Sequence, residues 1–158
     1  MAILLSEDNE VKSSLELVFL KNKLQDKKTV SWIPYKIVLK SAKQELTYET
    51  EANNKGAGDY VLSTKPINEI ENLATGIKSF LGNVNKEMFS FEGLEPSFEF
   101  ILERSHKGFA VYCWVDAGNV TSDHYSWDGF GVRFFTTEKN IKSFVNELEK
   151  EGVQTNLQ

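Results

Sequence analysis

One feature constrains this chain more than any other: its hydrophobic period changes from two to 3.6, and it does so twice. Leu15, Leu17 and Phe19 alternate with Glu16 and Val18. Tyr35, Ile37 and Leu39 alternate with Lys36, Val38 and Lys40, and Leu46 and Tyr48 alternate with Thr47 and Glu49. Period two puts alternate side chains on opposite faces of a sheet, so each run reads as a half-buried strand. A fourth strand is predicted at Tyr60 to Ser63. The period then changes. Ile67, Ile70, Leu73, Ala74, Ile77, Phe80 and Leu81 form a helical apolar stripe behind Pro66, whose missing N–H costs nothing at a helix start. Gly82 is the expected C-cap, and Gly76 inside the stripe weakens it.

The second half repeats the order. Met88 to Phe91 is a short strand. Phe98, Phe100 and Leu102 alternate with Glu99, Ile101 and Glu103; Phe109, Val111, Cys113 and Val115 with Ala110, Tyr112 and Trp114; Phe130, Val132 and Phe134 with Gly131, Arg133 and Phe135. Thr137 caps a final helix with Glu138 in its first turn, Ile141, Phe144, Val145 and Leu148 on its apolar face, and Gly152 at its end. The class is therefore α+β, a mainly antiparallel sheet structure with two amphipathic helices. The chain reads as one domain over 1–158, with halves 1–82 and 83–152 that each follow a β4α order. Gly76-Ile77-Lys78-Ser79-Phe80-Leu81 resembles Asn140-Ile141-Lys142-Ser143-Phe144-Val145, and Ile37 to Ser41 resembles Ile101 to Ser105. These words fit a duplication. They equally fit any strand–helix joint with a Lys-Ser surface.

At 158 residues such a chain buries roughly two-thirds of its unfolded surface and needs no disulfide or metal to fold. Cys113, the single cysteine, lies in an apolar run and reads as a small buried hydrophobe. The first residues lack a basic signal-peptide region, and no segment approaches the ~20 apolar residues of a membrane span, so a cytoplasmic location is expected. The sequon Asn119-Val120-Thr121 then has no glycosylation role. A formal net charge of -5 argues against a general nucleic-acid binder, whose affinity comes from neutralising phosphates. Residues 1–82 hold 11 acids and 11 lysines, whereas 83–158 hold 12 acids and seven basic residues, so the whole imbalance sits in the second half.

The segment from Asp116 to Gly131 concentrates chemistry: three aspartates (Asp116, Asp123, Asp128), His124, Tyr125 and Trp127, with no Lys or Arg. One reading makes His124 a general base, or a metal ligand, with those aspartates around it. No recognised catalytic or metal spacing accompanies it, so neither a metal nor a cofactor is expected, and the chain reads as a non-enzyme. Ala117-Gly118-Asn119 and Asp128-Gly129 are turn signals, so the segment also reads as a structural loop. As an interaction surface, Tyr125 and Trp127 would supply buried area and the carboxylates specificity. His106 reads as a solvated hairpin residue, Gly56 to Asp59 as a turn, and the lysines at 21, 23, 27 and 28 as a solvated tip.

Phe89-Ser90-Phe91-Glu92-Gly93-Leu94-Glu95-Pro96, Trp114-Val115-Asp116-Ala117-Gly118-Asn119, Tyr125-Ser126-Trp127-Asp128-Gly129 and Arg133-Phe134-Phe135-Thr136-Thr137 with the final helix are words that belong together. From about Phe89 to Glu149 the chain resembles the WapI-type immunity proteins of bacterial contact-dependent toxin systems. The resemblance implies a cytoplasmic, non-enzymatic inhibitor. Its partner would be the C-terminal domain, often a nuclease, of a cognate toxin. With the acidic-aromatic segment of Asp116 to Asp128 at or beside the interface, and Glu92 and Glu95 contributing, the toxin-binding residues expected are Glu92, Glu95, Asp116, Asp123, Tyr125, Trp127 and Asp128. An adaptor domain with another protein partner, or a small hydrolase using His124, are the alternatives.

Overall fold

The computed structural model describes residues 1–8, 10–20, 32–33, 35–49, 62–63, 68–93, 98–116 and 129–156, without the side chains of 32–33, 62–63, 116 and 152–156. In chain order the elements are β1 (Ala2–Leu5), β2 (Ser13–Phe19), β3 (Trp32–Ile33), β4 (Tyr35–Ser41), β5 (Gln44–Glu49), β6 (Leu62–Ser63), α1 (Glu69–Gly82), β7 (Met88–Glu92), β8 (Phe98–Ser105), β9 (Gly108–Asp116), β10 (Gly129–Thr136) and α2 (Glu138–Asn156). Two four-stranded antiparallel sheets result, ordered β1-β2-β4-β5 and β7-β8-β9-β10, with a two-residue pairing of β3 and β6 beside them. Each sheet is a meander followed by a helix, so the α+β class with two β4α-like halves is the observed architecture.

The alternation marks the buried face in β2, β4, β8 and β9, whereas in the edge strand β5 Leu46 is exposed and Tyr48 only partly buried. Leu15 and Leu17 on β2 face Leu39 and Ile37 on β4, and all four are buried. Phe100 and Leu102 on β8 face Cys113 and Val111 on β9, again all buried. Each such side chain contributes roughly 1.5–3 kcal/mol of transfer free energy. One continuous core joins both sheets to Ile70, Leu73, Ile77 and Phe80 of α1 and Ile141, Phe144, Val145 and Leu148 of α2. Tyr35 of the first sheet meets Phe98 of the second edge to face at 5.6 Å.

The helices are exchanged between the halves. α1 follows the first sheet but packs beside β7 of the second; α2 follows the second sheet but packs beside β1 of the first. At the first contact the ring of Phe89 lies where a Cβ on Gly76 would sit, 2.4 Å from the nearest ring atom. That close approach is why a helix-weakening glycine stands inside α1. At the second, Glu147 of α2 accepts the N–H of Ile3 at 2.8 Å. The helix thereby covers a sheet edge that would otherwise offer its main chain to another strand. Leu5 is tied down as well, its carbonyl accepting from the Thr136 hydroxyl at 2.7 Å and the Asn140 amide at 3.1 Å.

Several boundaries differ from the sequence expectations. The fourth strand of the first sheet is β1; of the stretch expected at 60–63, Leu62–Ser63 is strand and pairs with β3, and 60–61 lie outside the described residues. α1 begins at Glu69, capped by Asn68, whose side chain accepts from the Glu71 N–H. Asn83, following Gly82, is its C-cap. α2 continues past Gly152 to Asn156, and Thr137 caps its start by accepting from the Asn140 N–H. The repeated words also divide. Ile77 and Phe80 match Ile141 and Phe144 in being fully buried helix residues. Ile37 to Ser41, however, lies in the third strand of its sheet and Ile101 to Ser105 in the second of its own, so that pair does not occupy equivalent places.

Candidate partner-binding face

The second sheet has an inner face in the core and an outer face whose rows are read from strand register. Glu92 on β7 lies opposite Glu99 on β8, Glu99 opposite Trp114 on β9, and Trp114 opposite Gly131 on β10. The next row is Ser90, Ile101, Tyr112 and Arg133; the third is Met88, Glu103, Ala110 and Phe135. The alternation that buries Phe98, Phe100, Val111 and Cys113 is the same alternation that turns Glu99, Ile101, Tyr112 and Trp114 outward.

Trp114 is the unusual member. Its residue is 44% exposed, although indole is among the most costly side chains to leave in water. Its ring lies over the backbone of Gly131: a Cβ there would come within 2.4 Å of Cε3 and 2.7 Å of the Cys113 carbonyl oxygen. Only glycine leaves room for that ring position. On the inner-face side of the same sheet end Phe130 is 62% exposed, so a large aromatic reaches solvent on each face.

Charge is unevenly distributed over the sheet. At the end formed by the β8–β9 hairpin, cations are engaged: Arg104 lies over the rings of Phe80 and Phe109, Lys86 over Phe89 and Lys107 over Phe135. At the opposite end stand Glu92 and Glu99. Like charges directly opposite one another on antiparallel strands destabilise the pairing, and the row they share with Trp114 contains no basic residue. The outer face carries a cation one row in, at Arg133 opposite Tyr112. Glu103 is occupied by the Tyr112 hydroxyl, which donates to it at 3.1 Å.

The residues expected from sequence sort into three groups. Glu92 is exposed, at the Glu92–Glu99–Trp114 end of the sheet. Asp116 is the last residue of β9, paired through its backbone with Gly129; its side chain lies outside the described residues. Glu95, Asp123, His124, Tyr125, Trp127 and Asp128 lie outside the described residues altogether. The topology nevertheless fixes where those segments attach. β7 ends, β8 begins, β9 ends and β10 begins at the same sheet end, so 94–97 and 117–128 are both entered and left beside Glu92, Glu99 and Trp114. Glu99 and Trp114 were absent from the sequence-based set. Their alternation was visible, but which strand faces which is not a property of any one segment.

Two chemical readings can be placed. Cys113 is fully buried, and desolvation first, then the charge of Glu99, pushes its thiol up, so it stays protonated and is no nucleophile near neutral pH. His106 is an exposed hairpin residue, as expected. Among the described residues no group of three His, Cys, Asp or Glu side chains is placed to hold a metal ion, and no helix is long and apolar enough to cross a membrane. No family model, no curated protein and no solved structure matches the chain.

Proposed function

We propose that this protein is an immunity protein that binds and neutralises the C-terminal domain of a cognate bacterial toxin in the cytoplasm, and that it does so without catalysis. One observation carries the reading: a half-exposed tryptophan seated on a glycine, in line with two facing glutamates that have no cation in their row. A nuclease domain presents a basic surface because it must attract phosphate. An acidic inhibitor uses that field to associate quickly and to occupy the substrate's place. Trp114 supplies an aromatic anchor of the kind that dominates interface energetics. The segments holding Glu95, Asp116, Asp123, Tyr125, Trp127 and Asp128 attach around this end and would extend the contact toward the roughly 1,200–2,000 Å² of a stable interface.

The test is growth rescue. A candidate toxin domain whose expression arrests growth is co-expressed with this protein; growth is expected to be restored, and charge reversal at Glu92 and Glu99 together should reduce the rescue. A protein that is folded and present but fails to rescue would reject toxin neutralisation and favour an adaptor role for the same face.

A further inference from the structure

We propose that the Trp114 end of the second sheet recognises an arginine side chain of its protein partner, the guanidinium lying on the indole and pairing with Glu99. The toxin as source of that arginine rests on the reading above; the chemistry of the site does not.

Three features of this sheet end lead to a planar cation. The indole rests against the Gly131 backbone, so its position is set before a partner arrives, and its exposed part faces water. A tryptophan ring is the best aromatic acceptor for a cation, and the attraction grows when the pair is desolvated. Glu99 lies across from Trp114 on β8, the strand on the side away from Gly131, with backbones about 4.8 Å apart, so its side chain must span β9 to meet a group on the ring. Glu92 stands one strand further, opposite Glu99. Glu92 and Glu99 place two carboxylates on adjacent strands, so an arriving cation meets both. This makes the row more favourable for a cation than either glutamate alone.

The preference for guanidinium over ammonium follows from shape. A guanidinium is planar and weakly hydrated, so it stacks on an aromatic face while its edge donors remain free for a carboxylate. An ammonium is a strongly hydrated point charge and loses more on desolvation. Glu92, a strand away from the stacked group, would take a neighbouring basic residue of the partner.

The full-length protein is titrated at low salt with a hexa-arginine peptide and, separately, with a hexa-lysine peptide of equal charge, followed by the Trp114 indole N–H resonance and by calorimetry. The arginine peptide is expected to bind at least five-fold more tightly and to shift that resonance. Trp114→Leu should bring the two peptides within two-fold of each other, Trp114→Tyr, which keeps a ring face, should retain part of the preference, and Glu99→Gln should weaken arginine binding at least three-fold. Thermal melting verifies that each variant is folded. Equal affinity for the two peptides, a preference that survives Trp114→Leu, or indifference to Glu99→Gln would overturn the proposal. Failure of growth rescue with the peptide preference intact would reject the toxin as partner and leave the arginine site standing.

Discussion

The guanidinium of Arg104 donates to the main-chain oxygen of Phe80 at 2.9 Å, while its central carbon lies 4.9 Å from the centre of the Phe80 ring. The same group donates to the carbonyls of Leu81, Asn83 and Lys86. α1 has no basic residue in its own last turn. A strand of the other half therefore provides the cation that its C-terminal carbonyls favour.

Arg104→Ala should cost about 2–3 kcal/mol, in line with several hydrogen bonds to a charged donor. Arg104→Lys should recover less than half of that, because an ammonium cannot fork among four carbonyls or stack on two rings. Urea unfolding of the three proteins checks both values.

Gly76→Ala should destabilise, against helix propensity. Alanine gains about 1 kcal/mol over glycine in a helix interior. Its Cβ would, however, meet the Phe89 ring at 2.4 Å, and forcing a packed ring aside costs typically 1–3 kcal/mol. A pairing with Phe89→Leu should soften the loss. A lower urea midpoint for Gly76→Ala and a partial return in the double variant are the expected results.

The strands that alternate over five or more residues, and both apolar helix faces, were legible because local period reports the buried face. β1 was not. Ala2-Ile3-Leu4-Leu5 has no polar residue to reveal alternation, although Ala2 and Leu4 are fully buried and Leu5 is half-exposed. Its place comes from β2 on one side and α2 on the other, both distant in sequence. The helix exchange was illegible for the same reason. At the candidate site Glu92 was named from sequence, while the placement of Glu99 and Trp114 in its row needed the cross-strand register.

Glu147 closes the β1 edge, so its removal should be seen there first. In Glu147→Ala the Ile3 amide should exchange with solvent at least ten-fold faster, while amides of β8 and β9 keep their protection. Hydrogen exchange by NMR separates this local opening from global unfolding.

Cys113 gives a pH dependence with a definite sign. Burial raises its thiol pKa above the ordinary value of 9.0, so the unfolded chain loses this proton before the folded one does. Stability from this group is complete below about pH 9 and declines as pH rises beyond it. Cys113→Ala, though less stable at neutral pH, should show a shallower fall in stability between pH 8.5 and 10. A thiol reagent should label the native protein only at the rate of opening.

The most direct measurement is the rate at which this protein associates with a toxin domain from which it rescues growth, across a range of salt, for the wild type and for Glu92→Lys/Glu99→Lys and Trp114→Ala. Sub-nanomolar binding is predicted for the wild type, with association that slows steeply as salt rises. The charge-reversed protein should associate at least ten-fold more slowly with a flatter salt dependence, and Trp114→Ala should act mainly by faster dissociation. Association that is slow and insensitive to salt in the wild type, or unchanged in all the variants, would contradict a toxin-binding role for this face.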